Sequence, residues 1–89
     1  MQIREIEITH QQGLHARACA RIVALASRFR SNVVLVYGRR RASARSIVSI
    51  MLLAVGMGGL VRIEADGPDE SAAMTAMLRL LGQGLAAPA

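Results

Sequence analysis

This 89-residue sequence predicts an α+β fold of order βαββαβα, in which three helices lie on one side of a single four-stranded sheet. Three observations carry that prediction. Glu5, Ile6, Glu7 and Ile8 alternate, and Val61, Ile63 and Ala65 alternate with Arg62 and Glu64, which is the two-residue period of half-buried strands. Val33-Val34-Leu35-Val36 is a run rich in β-branched residues and reads as a third strand. The segments after strands one, three and four each carry an apolar face at helical spacing, so all three can cover the same side of one sheet.

In chain order, the first strand is expected over residues 2–9, followed by the polar loop His10-Gln11-Gln12-Gly13, where glycine gives the backbone freedom. The first helix is expected over residues 16–28. Ala16, Ala20, Val23 and Ala24 recur at helical spacing and would let it lie close to the sheet, while Arg17, Arg21 and Arg28 fall among polar positions. Cys19 reads as a small core residue; a metal or redox role beside His15 would need another ligand, and His10 is the one histidine left.

The second strand is expected over residues 32–37, and Gly38 and Arg39 turn it into a return strand over 40–43. Arg39-Arg40-Arg41 at this turn fits a solvated hairpin tip and a docking point equally. Ser46 is placed to cap a short second helix over 47–53, its hydroxyl accepting an N–H two or three residues on. That helix is apolar almost all round. Ile50 and Leu53 can face the core, which leaves Ile47, Val48 and Met51 as an exposed apolar patch of the kind a partner covers.

Gly56, Gly58 and Gly59 turn the chain into the last strand, over 60–65. Asp66-Gly67-Pro68-Asp69-Glu70 opens the final helix with proline and acids where the helix dipole favours them. Ala73, Met77, Leu80 and Leu81 form its expected buried stripe. It should fray at Gly82 or Gly84, leaving residues 86–89 as a loose tail of one 89-residue domain.

With one Phe, one Tyr and no Trp, the core must be aliphatic. The single cysteine rules out an internal disulfide, and nothing in the first residues resembles a signal peptide. The longest apolar run, residues 47–57, is far short of the roughly 20 residues a membrane span needs. A cytoplasmic protein without membrane insertion is expected. The net charge is +5, and all 11 basic residues are arginines. Nucleic-acid binding is disfavoured: the arginines are spread along the chain, stacking aromatics are nearly absent, and no helix-turn-helix or zinc spacing appears. A basic surface serves equally to meet an acidic protein partner.

The stretch with chemistry in it is Gly13-Leu14-His15-Ala16-Arg17, directly before the first helix. A helix start presents unpaired N–H groups and the positive end of the dipole, and so favours an anion. Arg17 adds a guanidinium able to hold phosphate oxygens in bidentate fashion. His15 supplies a nitrogen nucleophile that works near neutral pH. Together these residue types suit a phosphohistidine, whose dianion the helix end and Arg17 would stabilise. From spacing alone, a lone histidine at a helix start is more often a cap or a solvated surface residue.

Gly13-Leu14-His15-Ala16-Arg17 resembles the active-site motif of the HPr family, the histidine-containing phosphocarriers of the bacterial phosphoenolpyruvate-dependent sugar phosphotransferase system. Arg45-Ser46-Ile47-Val48-Ser49-Ile50-Met51 resembles that family's regulatory serine segment at the expected distance. The resemblance covers nearly the whole chain. It implies an open-faced β-sandwich, with an antiparallel sheet of strand order 1-4-2-3 and three helices on one face. It further implies that His15 takes a phosphoryl group from enzyme I and gives it to an enzyme IIA domain, with Arg17 stabilising the phosphate and no metal or cofactor needed. An HPr kinase/phosphorylase acting on Ser46 would be a further partner.

The expected docking face joins Ala16, Ala20 and Ala24 of the first helix to Ile47, Val48 and Met51 of the second, on a monomer. The alternative is a regulatory HPr-like protein of a nitrogen-related or incomplete phosphorelay, acting by protein binding. The chain departs from most relatives at Ala18, where they carry proline, at Cys19, and at Ala54, where glycine is frequent.

Overall fold

The structure, a computed structural model, describes residues 1–82. Among them seven elements follow one another: β1 (Gln2–Glu7), α1 (Ala16–Ala26), β2 (Asn32–Tyr37), β3 (Arg40–Ser43), α2 (Ile47–Leu52), β4 (Leu60–Asp66) and α3 (Glu70–Gly82). The strands form one sheet of order β1-β4-β2-β3, with every neighbouring pair antiparallel. β4 is therefore flanked on both edges by strands distant in sequence, and β1 and β3 are the open edges of the sheet. The expected fold class and strand order both hold.

Register decides which residues face the helices. Ile6 pairs with Val61, Leu35 with Ile63 and Ala42, and Val33 with Ala65, so these line the covered side. They pack with Ile8, Ile22, Ile50, Met74, Met77 and Leu81 into an aliphatic core. On the open side, Ile3, Val34 and Ser43 fall in one cross-strand row with Glu64, and Glu5, Val36 and Arg41 in the next with Arg62.

Glu64 is buried on this uncovered side because two arginines close over it. Arg41 Nη2 reaches its Oε1 at 2.8 Å, across the width of β2, and Arg62 Nε reaches its Oε2 at 3.1 Å. The hydrogen bond from Arg41 is the main cause that holds the Glu64 carboxyl below the usual carboxylate range.

The first helix differs from expectation in length, and Ala16, Ala20 and Ala24 do not lie close against the sheet. It ends at Ala26, two residues short of Arg28, where Ser27 returns its Oγ to the Val23 carbonyl at 2.8 Å. Its buried residues are Ala18, Cys19, Ile22 and Ala26; Ala16, Ala20 and Ala24 are exposed, and Val23 is half-buried. Alanine at four-residue spacing marks two faces equally well, and the large side chain of Ile22 decides between them.

The other differences are smaller. β1 stops at Glu7, with Ile8 buried just beyond it, α2 stops at Leu52 with Leu53 as its buried cap, and β4 runs on to Asp66. In α3, Met74 joins Ala73, Met77 and Leu81 in the core, while Leu80 is half-buried. The acids before α3 do more than face the helix dipole. Asp69 accepts the backbone N–H groups of Arg30 and Ser31 and the Ser31 hydroxyl, tying the start of α3 to the turn after α1. The possible fraying at Gly84 and the tail 86–89 lie outside the described residues.

Candidate phosphoryl site and docking face

The loop before α1 is built around Gly13. Its φ of +63° lies in the region that favours glycine, and an added Cβ would run into the Val55 carbonyl. The next residue, Leu14, donates its N–H to that same carbonyl at 2.9 Å. Below it, Cys19 Sγ donates to the Leu14 carbonyl at 3.3 Å. Burial pushes the Cys19 thiol up, which suits a core residue and not a reactive thiolate. Among the described residues no cluster of His, Cys, Asp and Glu could hold a metal ion.

His15 occupies the N-cap of α1 with extended backbone, φ −79° and ψ 178°. Its carbonyl accepts the Cys19 N–H at 2.9 Å, closing the first turn. Its side chain makes no capping bond, so the half-exposed imidazole is not used up by the helix end. Arg17, the second residue of the helix, is exposed and has no ion-pair or hydrogen-bond partner among the described residues. A second ring stands beside the first: the His10 and His15 centroids are 5.3 Å apart, with the planes tilted by 36°. The sequence offered no periodic signal for that contact, because His10 reaches it through an irregular turn.

Ser46 caps α2 as expected, accepting the Ser49 N–H at 3.2 Å and donating its own hydroxyl to Ser49 Oγ at 2.9 Å. Arg45 does not stand by as a phosphate partner. Its Nη2 donates to the Phe29 carbonyl at 2.6 Å and to that of Ser31 at 3.4 Å, across the gap to the turn after α1. Beyond the cap, Ile47, Val48 and Met51 are exposed, at 40%, 67% and 46%. Leu52, at 64%, extends the patch and was not singled out by sequence pattern. Arg40 holds the end of that helix by donating to the Leu52 carbonyl at 2.8 Å. The two helices α1 and α2 pack against each other, so the exposed alanines of one and the apolar patch of the other belong to neighbouring elements.

Comparison with known proteins shows the family. Residues 3–83 match the family model described as the phosphotransferase system HPr component phosphorylation site. The phosphocarrier protein HPr of Cupriavidus necator is 45% identical over 78 residues, covering 88% of each chain. The phosphocarrier protein NPr of Shewanella violacea is 36% identical over 78 residues, covering 88% of this chain and 86% of the relative. The crystal structure of HPr from Thermoanaerobacter tengcongensis superposes with a TM-score of 0.92 at 35% identity over the whole of both chains. The chain thus belongs to the family of HPr components of the phosphotransferase system.

Proposed function

We propose that this chain carries a phosphoryl group on His15, accepting it from enzyme I and passing it to an enzyme IIA domain. The observation that supports this most directly is the N-cap imidazole left out of the capping bond, two residues before an arginine unpaired among the described residues. In the forward step the lone pair of an unprotonated His15 nitrogen forms a bond to phosphorus. The bond from phosphorus to the donor's histidine nitrogen breaks, and that nitrogen leaves with its electron pair. Arg17 and the first N–H groups of α1 offset the negative charge on the transferring group. Onward transfer repeats the exchange with His15 as the leaving group. The carrier therefore must not hold the phosphoryl group too tightly.

The docking face in this reading is Ala16, Ala20 and Ala24 with Ile47, Val48, Met51 and Leu52, and the net charge of +5 suits a partner with an acidic rim. A phosphate on Ser46 from an HPr kinase/phosphorylase would regulate that face. In this reading the chain acts as a single-domain monomer in the cytoplasm; among the described residues no helix is long and apolar enough to cross a membrane. The relative named NPr favours one second reading, a regulatory branch in which the same His15 relay controls other proteins by binding.

The test is incubation with phosphoenolpyruvate and enzyme I, followed by intact mass and acid lability. Wild type should gain one acid-labile phosphoryl group and His15→Ala none. Labelling that survives His15→Ala defeats the reading. Transfer onward to a sugar-branch or a nitrogen-branch IIA domain then separates the two branches.

A further inference from the structure

The turn at Gly13, whose N–H donates to the His10 carbonyl at 2.9 Å, folds residue 10 back beside residue 15. The rings meet at 5.3 Å between centroids. His10 Nδ1 accepts the backbone N–H of Gln12 at 3.3 Å. A ring nitrogen that accepts a hydrogen bond carries no proton, so the neutral imidazole keeps its proton on Nε2 and presents that N–H as a donor. Among the described residues nothing accepts from it.

We propose that His10 is a second phosphoryl-binding residue: its Nε2–H donates to an oxygen of the phosphoryl group that His15 carries. The inference rests on the phosphocarrier reading above and assigns that site a ligand group it did not have. A phosphoryl group projecting from one ring of a pair this close lies within hydrogen-bond reach of the other, and a dianion accepts such a bond more strongly than a neutral oxygen does. Arg17 and His10 then hold the group from two different elements, the helix and the loop before it. The Gln12 bond orients the donor in advance, so little ordering is needed when the phosphoryl group arrives.

The test is an equilibrium partition. Wild type and a variant are mixed with a trace of enzyme I and limiting phosphoenolpyruvate, so that the phosphoryl group redistributes, and the occupancy of each is read by intact mass. His10→Ala should hold about three- to tenfold less of it than wild type, as for loss of a hydrogen bond to a charged group at a half-exposed site. Asn and Asp at this position can both accept the Gln12 N–H, as short side chains do two residues before the donor. They differ in what they offer the phosphate. His10→Asn should recover part of the occupancy through its amide N–H, whereas His10→Asp should fall below His10→Ala.

Phosphorylated wild type with equal partition in all three variants overturns the proposal alone. Full recovery by His10→Asp would make His10 a loop residue and overturns it too. A wild type that takes up no phosphoryl group defeats the phosphocarrier reading, and this proposal with it.

Discussion

The Leu14 N–H donates to the Val55 carbonyl at 2.9 Å, so the loop that carries His15 is fastened to the turn after α2. The backbone of Gly13 lies against the same turn, and its positive φ leaves no room for a side chain. Gly13→Ala should therefore destabilise by more than the ~1–2 kcal/mol that a left-handed conformation costs an L-residue, because it adds a clash with a backbone carbonyl. Each kcal/mol lowers Tm by about 4–8 °C in a domain of this size, which thermal melting resolves. A variant that melts with wild type would mean that the loop is not held this way.

Ala54 carries the opposite opportunity. It follows the α2 cap with φ +56°, the position where helices commonly end on a left-handed glycine. Alanine there bears a strain of ~1–2 kcal/mol, of which roughly 0.4–1 kcal/mol is offset by its less flexible unfolded chain. Ala54→Gly should then stabilise by about 0.5–1 kcal/mol and raise Tm by several degrees. A lower Tm would show that Ala54 makes contacts that outweigh the strain.

These two residues show what was legible in the sequence. The order βαββαβα was, since alternation at Glu5 to Ile8 and the run Val33 to Val36 are local signals that survive folding. The candidate site could be proposed from sequence because His15 and Arg17 lie within one turn of each other. The buried side of α1 was not: its alanines are small enough to suit either face, and only packing around Ile22 chooses. Contacts made by topology were equally hidden. Arg41 finds Glu64 across β2, Asp69 finds Ser31, and Arg45 finds the Phe29 carbonyl, all between residues that sequence spacing does not relate.

The pair of arginines over Glu64 predicts how stability depends on pH. Its carboxyl is held below the usual range by Arg41 first and Arg62 next. A group whose folded pKa is depressed contributes stability that is present above its unfolded value, about 4.3 for Glu, and is lost as pH falls through the lower folded value. Wild type should thus lose Tm below about pH 4. Asp69 and Glu70, also shifted down by their hydrogen bonds to Ser31 and to the N-terminal amine, add to that loss. Glu64→Gln should flatten the slope while lowering Tm at neutral pH. Parallel curves for the two proteins between pH 3 and 7 would exclude a role for Glu64.

Arg17 should matter for transfer and little for folding. It is exposed and unpaired among the described residues, so its removal breaks no contact there that the fold depends on. Losing one donor to a transferring phosphoryl group typically costs roughly 2.7–4 kcal/mol of transition-state stabilisation. Arg17→Ala should slow phosphoryl transfer from enzyme I by about a hundredfold or more with Tm nearly unchanged. A variant that melts much earlier, yet transfers normally while folded, would reverse the assignment.

The docking face gives the last prediction. Ile47, Val48, Met51 and Leu52 are exposed together on α2, and Ser46 stands at the edge of that patch. Arg45 Nη2 is already engaged by the Phe29 and Ser31 carbonyls, so direct pairing with a negative charge placed on residue 46 would compete with those bonds. Aspartate caps a helix about as well as serine, which keeps α2 intact in Ser46→Asp. The new charge would instead meet an incoming acidic rim and hold water where Ile47 must dock. Met51→Glu puts a hydrated group within the patch itself, and burying an unpaired polar group costs about 1–3 kcal/mol. Both variants should raise the apparent KM for transfer from enzyme I by about tenfold, with Tm within a few degrees of wild type. Added salt should weaken wild-type docking to an acidic partner and narrow the gap to Ser46→Asp, because screening removes the repulsion. It should leave more of the Met51→Glu defect, which comes from desolvation. Transfer kinetics equal to wild type for both variants, at low and at physiological salt, would place the docking face elsewhere on the molecule.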